Sequence, residues 1–149
     1  WTTREHGSFV PLIRPRMNPR LRNILSVVVG TGTCLVLNGL LLGSLMKLMP
    51  PPPGFDANVP STYHLLEARH YLSPFLAHAL PTVVGAIIAA LLAATKPLQR
   101  ALTVGALHLA GGIAAAFMIP APAWFTALDL LVAYLPMAWL GWRLAGGKR

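Results

Sequence analysis

Between Asn23 and Met46 no side chain carries a charge, and the only ionisable group is the thiol of Cys34. A helix rises 1.5 Å per residue, so about 20 apolar residues cross the roughly 30 Å hydrocarbon core of a bilayer. Inside hydrocarbon every backbone N–H and C=O needs a partner within its own segment, which makes such a stretch helical. Only 11% of the 149 residues are charged and 55% are hydrophobic, against roughly 25% charged in a soluble domain. The mean hydropathy of +0.61 agrees.

Three further stretches repeat the pattern. The expected spans are residues 24–48, 74–95, 97–119 and 123–144, giving an all-α integral membrane four-helix bundle as one domain over 24–145. A basic tail, 1–23, precedes it. Span 1 stops before Pro50-Pro51-Pro52-Pro53-Gly54, which cannot continue a helix and favours extended polyproline-like chain. Span 2 is expected to start with Ser73 as cap and Pro74 at the first helical position, and span 3 with Thr95 as cap and Pro97 just inside. Span 4 opens after Pro120-Ala121-Pro122. The short 2–3 and 3–4 connections make those neighbours antiparallel.

The net charge of +8 would suit nucleic acid, but its distribution excludes that partner. The basic residues flank the apolar runs and form no aromatic-interleaved patch. With the N-terminus inside, Arg4, Arg14, Arg16, Arg20, Arg22, Lys96, Arg100, Arg143, Lys148 and Arg149 lie inside, and Lys47 and Arg69 outside. Ten against two is a strong positive-inside bias; seven against two remains without residues 1–16. Both termini are therefore expected in the cytoplasm. Met17 is a candidate natural start, and the run after it is too long for a signal-peptide core. Trp124, Phe125 and Tyr71 fall near the outer interface, Trp139 and Trp142 near the inner one. In the external loop, 50–72, Ser61 or Thr62 could cap a short interfacial helix that lays Leu65, Leu66, Tyr71 and Leu72 on the membrane.

The polar residues of the spans fall on stripes of small ones. His78, Thr82, Gly85 and Ala89 share one helical face, as do Ala101, Gly105, His108, Gly112 and Ala115, and Asp129, Ala133, Pro136 and Leu140. In span 1, Gly32, Gly39 and Gly43 form a small face with Asn38 beside it. Membrane helices approach through small residues, which makes these glycines candidate packing positions. Lipid-facing charge costs about 2.5–3.5 kcal/mol on insertion scales, so His78, His108 and Asp129 are expected to point inward. His78 and Asp129 sit about six residues, roughly 9 Å, inside the outer end of their spans. Asn38 lies at a similar depth and His108 deeper. Pro81 and Pro136 each free a carbonyl one turn back, at Ala77 and Val132. Asp129 is thus expected to pair with His78 or Asn38, either as bundle glue or as a site for a proton, cation or small solute.

Other signals are discounted. Gly30-Thr31-Gly32-Thr33 looks like part of a phosphate loop but lies inside a span with no preceding strand. His64, Glu67 and His70 are metal-type residues, yet on a helix the two histidines stand about 240° apart. His78 and His108 differ too much in depth for facing haem ligands. Cys34 is the lone cysteine, read as a small packing residue. No cofactor or metal is expected, and no catalytic motif argues for an enzyme.

Residues 111–125 (Gly111-Gly112-Ile113 through Pro120-Ala121-Pro122-Ala123-Trp124-Phe125), Leu128-Asp129-Leu130, and 133–141 from Ala133-Tyr134 to Leu140-Gly141 carry a resemblance. With Met17-Asn18-Pro19-Arg20 and the Pro-rich loop, the chain from 17 to about 145 resembles a group of small bacterial four-span inner-membrane proteins of no known activity. The resemblance implies a bacterial inner-membrane location and nothing about chemistry.

Two functions fit. The first is a structural or accessory membrane subunit, packing against other subunits or a second copy through the glycine face of span 1. The alternative is a small oligomeric transporter or channel with a protonatable site at Asp129 and His78. An enzyme acting on lipid is a distant third.

Overall fold

A computed structural model describes residues 17–147. Residues 1–16 of the basic tail, and Lys148 and Arg149, lie outside the described residues. Within them the chain is helical throughout, with four segments long and apolar enough to cross a membrane. They are α1 (Pro19–Leu48), α2 (Leu72–Leu92, continuous with a preceding 3₁₀ turn), α3 (Pro97–Met118), and a broken span made of α4 (Ala123–Val132) and α5 (Leu135–Leu144). The four-helix membrane bundle expected from sequence is the fold.

The helix ends are built differently from expectation. The α1 helix begins at Pro19, inside the supposed tail, with Asn18 Oδ1 accepting from Arg20 N at 2.9 Å. Its first turn then caps a neighbour. Asn23 Oδ1 accepts from Ala94 N (2.8 Å) and Thr95 N (3.1 Å), Asn23 Nδ2 donates to Thr95 Oγ1 (2.8 Å), and Arg22 Nε donates to Leu92 O (2.8 Å). Thr95 therefore does not cap α3. That place falls to Lys96, left-handed at φ 53°, with no side-chain cap. Ser73 does not cap α2 either, because the 3₁₀ turn Ala68–Tyr71 runs straight into the helix at Leu72.

Close helix approach follows from missing Cβ atoms. A Cβ at Gly30 would stand 2.6 Å from Gly85 O, and one at Gly85 2.6 Å from Gly30 O, so α1 and α2 meet backbone to backbone there. On α3, Gly105 abuts Ala138 and Gly112 abuts the Tyr134 ring. A Cβ at Gly32, Gly39 or Gly43 would meet nothing within 4 Å among the described residues; within this bundle the packing glycine of α1 is Gly30. At the end that carries Arg20, Arg22, Lys96, Arg100 and Arg143, hereafter the basic end, Ala86, Ala90, Ala101, Ala138 and Trp142 fill the interior. Trp142 is buried there; Trp139 is exposed, with the Arg143 guanidinium 5.4 Å from its ring centroid.

The 49–72 connection closes the opposite end. In place of one interfacial helix there are two 3₁₀ turns, Pro60–Leu65 and Ala68–Tyr71. Neither Ser61 nor Thr62 caps: Thr62 Oγ1 takes the Asp56 N–H and lies 2.8 Å from both Asp56 O and Val59 O, pinching the loop shut. Tyr71 turns inward, 6% exposed, with its ring 4.7 Å from Phe125 and 5.7 Å from Trp124. The membrane surface is left to Leu72.

Candidate functional site

Span 4 breaks because Pro136 has no N–H and its ring would strike the Val132 carbonyl. The chain turns at Ala133 and Tyr134, where φ and ψ of Tyr134 are −115° and −83°. This break builds the site. In an unbroken helix, residues five apart point about 140° away from each other. Here Tyr134 reaches back, and its hydroxyl donates to Asp129 Oδ2 at 2.8 Å.

Asp129 is 5% exposed and is paired across the bundle. His78 Nδ1 lies 2.8 Å from its Oδ1 and 3.0 Å from its Oδ2. A carboxylate facing Nδ1 selects the Nδ1–H tautomer of a neutral imidazole and leaves Nε2 as an acceptor. The Tyr134 ring stacks on His78 at 5.6 Å. Two donors on one buried carboxylate are what an isolated acid in this setting requires, since an unpaired buried charge is very costly. Of the two partners expected for Asp129, His78 is the one found. Asn38 instead donates from Nδ2 to Ala77 O at 2.8 Å, the carbonyl freed by Pro81.

Deeper in the bundle, His108 Nδ1 sits 2.8 Å from Thr82 Oγ1 and 3.1 Å from Cys34 Sγ. Thr82 Oγ1 donates in turn to His78 O at 2.6 Å. The histidines touch edge to face at 5.8 Å, and His108 meets the Tyr134 ring at 5.1 Å. All four spans thus contribute to one polar core. Its members Tyr134 and Thr82, and Cys34 as more than a packing residue, were not singled out from sequence. Thr82 shares the His78 stripe, which is a signal; Tyr134 carries none while span 4 is read as continuous.

The core is the floor of a cavity. A space of about 280 Å³ lies between this core and the loop end, lined by all four spans and by residues of the 49–72 connection. Its walls include Leu42, Met46, Phe55, Leu66, Phe125 and Leu130, and its polar groups include His78, Asp129 and Ser73. Ser73 is 2% exposed and its hydroxyl has no hydrogen-bond partner among the described residues. Toward the basic end the alanine-rich packing leaves the cavity one-sided. His64 and His70, considered above as metal-type residues, are taken by local backbone: His64 Nδ1 by Ser61 O (2.6 Å) and His70 Nδ1 by Glu67 N (2.9 Å).

Fold and site together define a multi-pass helical membrane protein with a polar core at the bottom of a one-sided cavity. No family model, curated protein or solved structure matches the chain.

Proposed function

We propose that this protein is a small-solute carrier of a bacterial inner membrane, with both termini in the cytoplasm and the cavity opening outward. The observation that carries the reading is the cavity ending on Asp129 and His78. A carboxylate used only to hold helices together needs no access. Here the pair closes a space of solute size, and Tyr134 and, one step deeper, His108, Thr82 and Cys34 continue it as one hydrogen-bonded polar core. Protonation of Asp129 as solute leaves, and its release as solute enters, couples the two. The charge distribution supports the orientation: among the described residues Arg20, Arg22, Lys96, Arg100 and Arg143 sit at the basic end, Lys47 and Arg69 at the other.

The test is proton flux. Full-length protein is reconstituted into vesicles loaded with a pH-reporting dye, and the outside pH is stepped with small organic solutes of each charge class present. Wild type is expected to speed collapse of the gradient, and Asp129→Asn to return it to the protein-free rate while the melting temperature of the bundle stays within a few degrees. Equal rates for wild type and variant overturn the reading.

One observation favours a second role, as an accessory subunit. Gly32, Gly39 and Gly43 lie open on α1, a helix that buries only Asn23, Ser26, Gly30 and Cys34. Small faces of this kind seat other membrane helices. Native mass after extraction in a mild polymer decides it: a reproducible stoichiometric partner makes the chain a subunit, while a pure homo-oligomer or monomer removes that role.

A further inference from the structure

The carrier reading leaves the solute open, and the chemistry of the cavity narrows it. Among the described residues its lining contains no lysine or arginine, and Asp129 is the only acid. Asp129 is also the only carboxylate in the four spans; the other acids are Glu5, Asp56 and Glu67. The floor thus holds the one carboxylate of the lining, hydrogen-bonded to His78 Nδ1 and the Tyr134 hydroxyl, with no lysine or arginine beside it. Among the described basic residues at this end, Arg69 is paired with Glu67 at 3.0 Å, Lys47 is exposed and does not line the cavity, and His70, which does line it, accepts at Nδ1 from Glu67 N.

The walls point the same way. Phe55, Tyr63, Tyr71 and Phe125 bring four aromatic rings to the cavity, coupled in pairs at 5.1 Å (Phe55–Tyr63) and 4.7 Å (Tyr71–Phe125). Aromatic faces attract cations. Around and below them Leu42, Met46, Leu66 and Leu130 offer apolar surface for a hydrocarbon body. A volume of about 280 Å³ is at the small end of ligand pockets, enough for one ring and a compact charged head.

We infer that the cavity takes a small lipophilic organic cation, an aryl- or alkylammonium ion, its charge set against the Asp129 carboxylate and its apolar body against the aromatic and leucine walls. The inference rests on the carrier reading for its use of the site, and it completes the coupling. One proton on Asp129 and one bound monocation are alternatives of equal charge, so each displaces the other.

The experiment compares probes of one shape and different charge on the purified full-length chain. Radiolabelled benzyltrimethylammonium is bound by equilibrium dialysis against a detergent-only control. Competition is then measured with phenylmethanesulfonate, an anion of like size, and with neopentylbenzene, its uncharged carbon isostere. Saturable cation binding is expected, with at least ten-fold weaker competition by the isostere and none by the sulfonate. Asp129→Asn should weaken binding at least ten-fold and Asp129→Glu much less. Ala116→Phe, which adds a ring at an exposed position of the cavity wall, should also abolish binding. If Asp129→Asn does not fold, the Glu and Phe variants together with the probe series decide. Absence of saturable cation binding to wild type, equal competition by the sulfonate, or full binding in Ala116→Phe overturns the inference. Cation binding without proton flux leaves this site standing and removes the carrier reading. Proton flux with no preference for the cation does the reverse.

Discussion

Asp129 and Tyr134 set the chemistry of the site one hydrogen bond at a time. Tyr134→Phe keeps the ring that packs on Gly112 and stacks on His78, and deletes only the donor to Asp129 Oδ2. Hydrogen bonds between membrane-buried side chains are worth about 0.6 kcal/mol on average and rarely above about 1.7. Tyr134→Phe should therefore cost about 1 kcal/mol, read as a small fall in melting temperature in detergent, and an unchanged melting temperature would show that the hydroxyl does not hold the carboxylate. Gly112→Ala is the harsher change, because the new Cβ lands on the Tyr134 hydroxyl and pushes the ring off the pair. Overpacking of this kind costs about 1–3 kcal/mol, and the variant should melt lower than Tyr134→Phe. The His78–Asp129 pair was legible in the sequence, since a lone acid in an apolar run has to turn inward and a histidine on a small-residue stripe at matching depth is its natural partner. Tyr134 was not legible: five residues from Asp129, it points away on any continuous helix, and only the break before Pro136 swings it back.

Among the elements, the spans were legible and their ends were not. Hydrocarbon forces each apolar run into a helix whatever its neighbours do, whereas an end can be satisfied by any group that reaches it. The α2–α3 turn is held from outside by Asn23, seventy-one residues before Ala94. Asn23→Ala leaves the N–H groups of Ala94 and Thr95 unpaired and should destabilise by about 0.5–2 kcal/mol, the usual range for a lost cap; proteolysis at the 93–96 turn, monitored against temperature, would show the loosened turn directly. The glycines divide by the same logic. Gly85→Ala must force Gly30 O and Cys34 Cβ away, parting α1 from α2, and should lower the melting temperature by several degrees. Gly43→Ala meets nothing in the bundle and should leave the isolated chain's melting temperature unchanged. A fall for Gly43→Ala equal to that of Gly85→Ala would mean the open face of α1 is covered in the purified protein.

At the scale of the whole molecule, the bundle is asymmetric along its axis. One end is filled by alanines and Trp142 behind a belt of arginine and lysine; the other holds the cavity under a loop pinned by Thr62, with Tyr63 Oη donating to Ala57 O at 3.0 Å. The sequence foretold the charge asymmetry but not the cavity. A space between four spans depends on how far each helix stands from the next, and that is set by pairs such as Gly30–Gly85 whose partners lie far apart in the chain. The asymmetry makes access from one side a sharp expectation. Thr126, half-buried on α4, lines the cavity, while Cys34 is fully buried beside His108. Intact cells carrying Thr126→Cys should react with a membrane-impermeant maleimide, and cells carrying the wild-type chain, whose one thiol is Cys34, should not. Labelling of Thr126→Cys only after the membrane is opened would put the loop end in the cytoplasm and reverse the proposed orientation. Labelling of Cys34 in the wild-type chain would mean that water passes the His78–Asp129 floor, so that the polar core conducts between the two halves of the bundle instead of ending a pocket.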